Sequence, residues 1–255
     1  MIWIEFFISS ALIVFIAIQL ARYGDVIAMR TGLGGMFIGV LLLAGATSLP
    51  EVLTTISSLA QGIPNLAAGN LMGSNMFNMV ILAILDFASQ QERILRKSAL
   101  KHALSGSLAV FMIGMVVFFI MARIPAHIGW VGLDSLAIMA GYLIALWLIQ
   151  SSSSPAKLTT VDVIPDNFPS LWNGFLGFAL AAAGLVVITP WMVRVSSIIA
   201  ETTGLGATFV GSTLVAIVTS LPELVTTLAA LKIGASDMAI GNLFGSNMFN
   251  NLSSG

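Results

Sequence analysis

The sequence predicts an all-α polytopic membrane protein built on an inverted-topology repeat, with about eight helices in the chain. Three observations carry this. Of 255 residues, 58% are apolar and only 8% are charged, with a mean hydropathy of +1.01; soluble domains carry about a quarter charged residues. The apolar residues fall into runs of roughly 20, the length that crosses a bilayer as a helix. The sequence also overlays itself, without a gap, at a shift of 172 residues. Net charge is −1 and the pI about 6.1, which gives no reason to expect a nucleic-acid partner. There are no cysteines, so disulfides and thiolate metal sites are excluded.

The apolar segments, in order, are approximately 2–21, 36–60, 65–87, 104–122, 129–149, 171–192, 207–231 and 236–255. Helices are required, because lipid offers backbone groups no partner and no segment alternates like a barrel strand. The first segment lacks the basic n-region of a signal peptide and is read as a membrane helix. The longest polar connection, "QSSSSPAKLTTVDVIPDNFPS" at 150–170, holds three prolines and a serine run, which is linker composition. The expected organisation is therefore a first repeat of five helices over 1–149, a linker over 150–170, and an incomplete second repeat of about three helices over 171–255. Connections after the first, third, fifth and seventh segments hold Arg22, Arg30, Arg93, Arg96, Lys97, Lys101, Lys157 and Lys232; the other side holds Arg123 and Arg194. By the excess of Lys and Arg on cytoplasmic loops, the linker is expected in the cytoplasm and the N-terminus outside.

Between 47–78 and 219–250, 19 of 32 positions are identical. "TSLPE" at 47–51 recurs at 219–223, "GNLMGSNMFN" at 69–78 recurs as "GNLFGSNMFN" at 241–250, and "TGLGGMFIG" at 31–39 recurs as "TGLGATFVG" at 203–211. Chance similarity among membrane segments accumulates Leu and Ala, not shared Thr, Ser, Pro, Glu, Gly and Asn. Five crossings separate the second segment from the seventh, and five is odd, so the copies enter the membrane from opposite sides. Many secondary transporters are built this way, with their site near the midplane where the halves meet.

Of eleven acidic residues, Glu51 and Glu223 stand well inside apolar segments. A charge at that depth costs at least about 2.5–3.5 kcal/mol, so the pair implies a cation, a proton or a water-filled cavity. A protonated, hydrogen-bonded structural pair is the plainer alternative. Pro50 and Pro222 precede them and deprive the carbonyls of Ala46 and Val218 of their helical donors; those of Thr47 and Thr219 are loosened beside them. Irregular backbone at this depth is tolerated where it lines a cavity, although a simple kink is the ordinary outcome of one proline. Gly69 and Gly73, and Gly241 and Gly245, are four apart and permit close helix approach. Ser74 and Asn78 share one helical face, as do Ser246 and Asn250. Asn70, Asn75, Asn242 and Asn247 serve as interhelical glue or caps as readily as ligands. With the hydroxyls of Thr47, Ser48, Thr219 and Ser220, the collected donors are hard oxygens. They suit calcium, which takes 6–8 of them, and not zinc or copper. Two carboxylates balance one divalent ion, two monovalent ions or two protons, and competition for that pair yields exchange.

The paired "TSLPE" and "GNxxGSNxFN" segments on inverted repeats resemble the cation/calcium exchanger superfamily, most closely its prokaryotic sodium/calcium exchanger branch. The resemblance spans essentially the whole chain. It implies ten helices in two groups of five, and Ca2+ and Na+ occupying overlapping central sites in alternation, with no cofactor. By motif match, Glu51 and Glu223 are implied as shared ligands of both ions, and Thr47 and Thr219 as Ca2+ ligands through their main-chain carbonyls. Ser48, Ser220, Ser74 and Ser246 are implied to line Na+ sites, with Asn78 and Asn250 at the centre. Several relatives carry Asp at the position of Asn250. The amide leaves the pocket with charge −2 rather than −3, so both Na+ and H+ stand as coupling ions. The chain ends at "NNLSSG", where the repeat predicts the remainder of the eighth helix and two more matching 104–149. The expectation is a C-terminally truncated exchanger that needs the missing helices or another copy to function.

Other classes fit less. An intramembrane protease needs a membrane Asp pair or a Ser–His pair, whereas His102, His127, Asp25 and Asp162 are expected in loops or at helix ends. A transport-incompetent fragment is the third reading. The expectation is a multi-pass protein of the cell inner membrane, not an enzyme, whose partners are inorganic cations and lipid. "RILRKSALKH" at 93–102 reads as a solvated loop.

Overall fold

The computed structural model describes residues 1–31, 43–88, 94–122, 126–129, 131–152, 169–232 and 236–253. The first helix, α1, is Ile2–Thr31. After residues outside the described set, the chain is helical over 43–47, breaks at Ser48 and continues as α2, Leu49–Ala60. Next come α3, Pro64–Ala88, and α4, Ile94–Ala122. A two-residue antiparallel pairing of β1, His127–Ile128, with β2, Val131–Gly132, leads into α5, Leu133–Ser152. The second half opens with α6, Leu171–Thr203. It continues through α7, Ala207–Val210, a π-helical turn at Gly211–Val215, and α8, Ala216–Thr219; it breaks at Ser220 and resumes as α9, Leu221–Lys232, then α10, Ser236–Leu252.

Among the described residues, five stretches are long and apolar enough to cross a membrane: Ile2–Thr31, Pro64–Phe87, His102–Ala122, Leu171–Thr203 and Ala207–Lys232; Leu133–Ile149 is a shorter apolar helix. The protein is an integral, multi-pass, all-α membrane protein.

Several boundaries differ from expectation, each for a local reason. Helix α1 runs to Thr31, not 21, because "ARYGDVIAMRT" contains no proline; Asp25, expected in a loop, is inside it. The basic stretch 94–103, expected as loop, forms the first turns of α4 and carries His102. Segment 129–149 starts instead at Leu133, because Gly129, at φ 66°, turns the chain into the β1–β2 pairing and puts His127 in a strand. Helix α5 runs to Ser152, past the expected start of the linker at 150; residues 153–168, with Asp162, lie outside the described set. Helix α6 continues through Pro190 to Thr203. The missing N–H leaves the carbonyl of Val186 without its helical donor; separately, Gln61 Nε2 donates to the carbonyl of Pro190 at 3.2 Å.

The turn from α2 to α3 is only Gln61 to Ile63. Gly62 adopts φ 73°, its N–H bonds to Leu59 O at 3.0 Å, and Ile63 N–H bonds to Ser58 O at 2.8 Å. This is the left-handed helix stop that glycine makes without a Cβ penalty.

Helices α1 and α6 pack along their length, burying Phe6, Ile13, Ala17 and Leu20 against Leu185, Met192, Val193 and Ile199. Their approach depends on Gly174, Gly177 and Gly184, where a Cβ would meet Val26, the Tyr23 ring and Ile16. A second apolar cluster joins α4, α5 and α10 through Met112, Val116, Tyr142 and Met248, and a third joins α3 to α10 through Ile81, Leu82, Ile240 and Leu243. Helix α3 crosses α7 and the π-helical turn backbone to backbone: a Cβ on Gly69 would sit 2.5 Å from Thr208 O, and one on Gly211 2.5 Å from Leu66 O. These packed layers leave the two helix breaks facing each other at the centre.

Candidate functional site

Each break has the same cause. Ser48 (φ −85°, ψ 2°) and Ser220 (φ −90°, ψ 1°) depart from helical geometry two residues before a proline. The bonds that bridge the first break are Ser48 N–H to Ala44 O, 2.9 Å, and Val52 N–H to Ser48 O, 3.2 Å. The second break matches, with Ser220 N–H to Ala216 O, 3.0 Å, and Leu224 N–H to Ser220 O, 3.2 Å. Pro50 and Pro222 offer no N–H to Ala46 and Val218. Each break is thus a single residue, set just before the proline and its glutamate and spanned by hydrogen bonds on both sides.

Glu51 and Glu223 are both fully buried. Ser48 Oγ donates to Glu223 Oε1 at 3.1 Å, and Ser220 Oγ donates to Glu51 Oε1 at 3.2 Å. Each half thus braces the other half's carboxylate with the serine at its own break. Around this pair the exchange repeats: Thr47 Oγ1 lies 3.5 Å from Ser246 Oγ, and Ser74 Oγ lies 3.3 Å from Thr219 Oγ1. The second carboxylate oxygens, Glu51 Oε2 and Glu223 Oε2, are buried and meet no hydrogen-bond partner among the described residues.

All ten candidate residues, Thr47, Ser48, Glu51, Ser74, Asn78, Thr219, Ser220, Glu223, Ser246 and Asn250, are at 0% exposure. Asn78 Nδ2 donates to Asn247 Oδ1 at 3.0 Å, leaving Asn78 Oδ1 unpartnered; neither polar atom of Asn250 has a partner among the described residues. The four further asparagines take interhelical bonds. Asn75 Nδ2 donates to Asn251 Oδ1 at 2.8 Å, Asn247 Nδ2 reaches Asn75 O at 3.4 Å, and Asn70 Oδ1 accepts from Thr219 Oγ1 at 3.1 Å. Asn242 Nδ2 donates to Thr226 and Thr227 hydroxyls at 3.1 and 3.4 Å. Asn251 is the member of this network that reading the repeat passes over, since its counterpart is Met79. Gly69 and Gly73 provide the expected close approach, against the π-helical turn.

No group of three or more His, Asp or Glu that could hold a metal occurs among the described residues, so any ion here would rest on two carboxylates with neutral oxygens. His102 Nε2 pairs with Asp237 Oδ1 at 3.2 Å, and His127 is in β1.

Two inverted halves whose helices break on either side of a shared, buried polar centre define a secondary transporter. The sequence profile of the family described as "Sodium/calcium exchanger protein" matches residues 1–150 and 173–253. The chain belongs to this family, whose members carry inorganic cations, Ca2+ among them, and are transporters. It is 28% identical to the putative antiporter CaxA of Alkalimonas amylolytica over 88% of this chain and 69% of that one. It is 27% identical to the sodium/calcium exchanger MaX1 of Methanosarcina acetivorans, over 90% of this chain and 74% of that one. Among solved structures, the sodium-calcium exchanger NCX_Mj superposes with a TM-score of 0.60 at 24% identity, covering 100% of this chain and 82% of that one. YfkE superposes with a TM-score of 0.68 at 20% identity, covering 97% and 71%. Both likenesses establish the fold.

Proposed function

We propose that this chain carries the ion site of a secondary antiporter that exchanges Ca2+ for Na+ by alternating access. One observation bears most of the weight: two buried carboxylates from opposite halves, each holding one oxygen on the other half's serine while the second oxygen has no partner among the described residues. An isolated pair of charges at this depth is prohibitive without compensation. The donor set is all oxygen, which suits Ca2+, and charge −2 is balanced by one Ca2+ or two Na+. In this reading Glu51 and Glu223 hold both ions. The main-chain carbonyls of Thr47 and Thr219 join them for Ca2+; Ser48, Ser74, Ser220 and Ser246 line Na+ positions, and Asn78 and Asn250 contribute amide oxygens. An empty, doubly negative centre resists crossing between access states, and a filled one crosses readily, which enforces exchange. No covalent chemistry and no cofactor take part.

Residues 1–149 and 171–255 act as the two repeats about a cytoplasmic linker, with the N-terminus outside; eight of the ten Lys and Arg residues fall on the linker side. The inner membrane of a prokaryotic cell is the corresponding location. One relative, 27% identical, is the inner membrane protein YrbG of Escherichia coli.

Charge count admits a second reading with H+ in place of Na+, because Asn250 adds no carboxylate and two protons neutralise the pair as two Na+ do. The test is Ca2+ uptake into reconstituted vesicles under an outward Na+ gradient, repeated with a pH gradient of equal driving force. Uptake with Na+ alone is expected. Uptake with the pH gradient alone moves the assignment to proton coupling, and uptake with neither sinks the antiport reading.

The braces have their own consequence. Ser48→Ala removes the donor to Glu223 Oε1, and Ser220→Ala the donor to Glu51 Oε1. Hydrogen bonds to charged groups contribute about 1.5–3 kcal/mol, so each change should lower Ca2+ uptake at subsaturating Ca2+ by about ten- to a hundredfold. Equal losses in the two variants are expected from the reciprocal geometry.

A further inference from the structure

The polar centre follows the twofold relation of the halves closely, but one bond is missing. Under the 172-residue shift, Asn78 corresponds to Asn250 and Asn247 to Asn75. Asn78 Nδ2 is held by Asn247 Oδ1 at 3.0 Å. The matching bond would run from Asn250 Nδ2 to Asn75 Oδ1, and it does not form: both atoms are buried and without a partner among the described residues. Asn75 is engaged elsewhere. Its Nδ2 donates to Asn251 Oδ1 at 2.8 Å, across the α3–α10 contact, and Asn251 is fully buried. Position 79, the counterpart of 251, is Met, whose thioether is at best a weak acceptor, so the first half has no equivalent of this capture.

We propose that Asn251 is a positioning residue that sets cation affinity by holding Asn75 away from Asn250. The two central amides are thereby made inequivalent. Asn78 is fixed with its oxygen free, because its nitrogen is tied. Asn250 is untied at both ends and turns its oxygen to a bound cation or its nitrogen to a carboxylate when the cation has left. A fixed amide is a permanent ligand, whereas a turning one lets the ion go. The proposal rests on the cation-site reading given above.

The test is Asn251→Met, which places in the second half the residue the first half already carries. Asn75 is released, the Asn250–Asn75 bond forms, and Asn250 is locked with its oxygen toward the ion. Fixing one such side chain in advance is expected to tighten Ca2+ binding about three- to tenfold. The reading is the Ca2+ concentration that half-maximally raises the melting temperature of purified protein. Maximal turnover should fall in the same variant, because release slows. Asn75→Ala in the Asn251→Met background should restore wild-type affinity, whereas Asn75→Ala alone should leave affinity unchanged, since Asn75 does not hold Asn250 in the wild type. A merely structural role predicts weaker binding in all three variants and no restoration. Unchanged or weaker Ca2+ binding in Asn251→Met, or an effect of Asn75→Ala alone as large as that of Asn251→Met, overturns the proposal. Failure of the site reading looks different: Ca2+ binding would then survive Glu51→Gln, whatever stands at 251.

Discussion

Glu51→Gln, or Glu223→Gln, is expected to abolish Ca2+ uptake driven by a Na+ gradient, with a fall of at least about a hundredfold while the protein still folds. The substitution keeps size and hydrogen-bonding capacity but removes one of two charges from the centre. The remaining carboxylate then faces a divalent ion alone, and removing one partner of a buried charged set costs about 3–5 kcal/mol. Folding should be spared, because each serine brace can still donate, to the amide oxygen of Gln in place of the carboxylate. Uptake is measured in vesicles, and the melting temperature of the same preparation separates lost binding from lost structure. Undiminished uptake in either variant would falsify the assignment of these carboxyls as ligands. The reciprocal geometry adds a further requirement: the two single variants should fail alike.

The second large effect lies in packing. Gly73→Ala should destabilise the protein by about 2–3 kcal/mol, as overpacking in a closed core does. The new Cβ would fall on the backbone oxygen of Ser212, with Ser212 Cα at 2.6 Å and Ala216 Cβ at 2.7 Å. None of these is the movable end of a long side chain, so α3 and the π-helical turn must part. Ser74, the next residue, loses its 3.3 Å approach to Thr219, and transport should fall with stability. Gly114→Ala is the control. It lies inside α4 with nothing within 4 Å of an added Cβ, so replacing Gly with the better helix former should be neutral or stabilising by up to about 1 kcal/mol. Thermal unfolding of the two variants side by side decides the point; equal melting temperatures would mean that the crossing is not closed.

Much of this arrangement is legible in the residues because the repeat says the same thing twice. A single Pro-Glu pair in an apolar run reads as a kink with a structural carboxylate. Two such pairs, 172 residues apart and related by an odd number of crossings, point to one shared centre, and Glu51 and Glu223 do meet there. The same logic hides what breaks the repeat. Asn251 has Met79 as its counterpart and carries no signal in the pattern, so its hold on Asn75 emerges only from three-dimensional contact. Helix ends are missed for a different reason. Hydropathy reports where a helix meets lipid, whereas α1 and α4 continue as helix through charged residues beyond that boundary. The π-helical turn at Gly211–Val215 depends on the backbone fit against Gly69 and Gly73, a long-range cause that local sequence does not express.

The crosswise bracing of the acids has a bearing on biosynthesis. Ser220, which steadies Glu51, is made 169 residues later. Until that later segment is in place, Glu51 lacks the donor that steadies it, and a carboxylate without compensation at this depth is costly. The first half therefore depends for the settling of its acid on a contact that closes late in synthesis, and a chain cut between residues 152 and 219 should be recovered in lower yield than the whole chain.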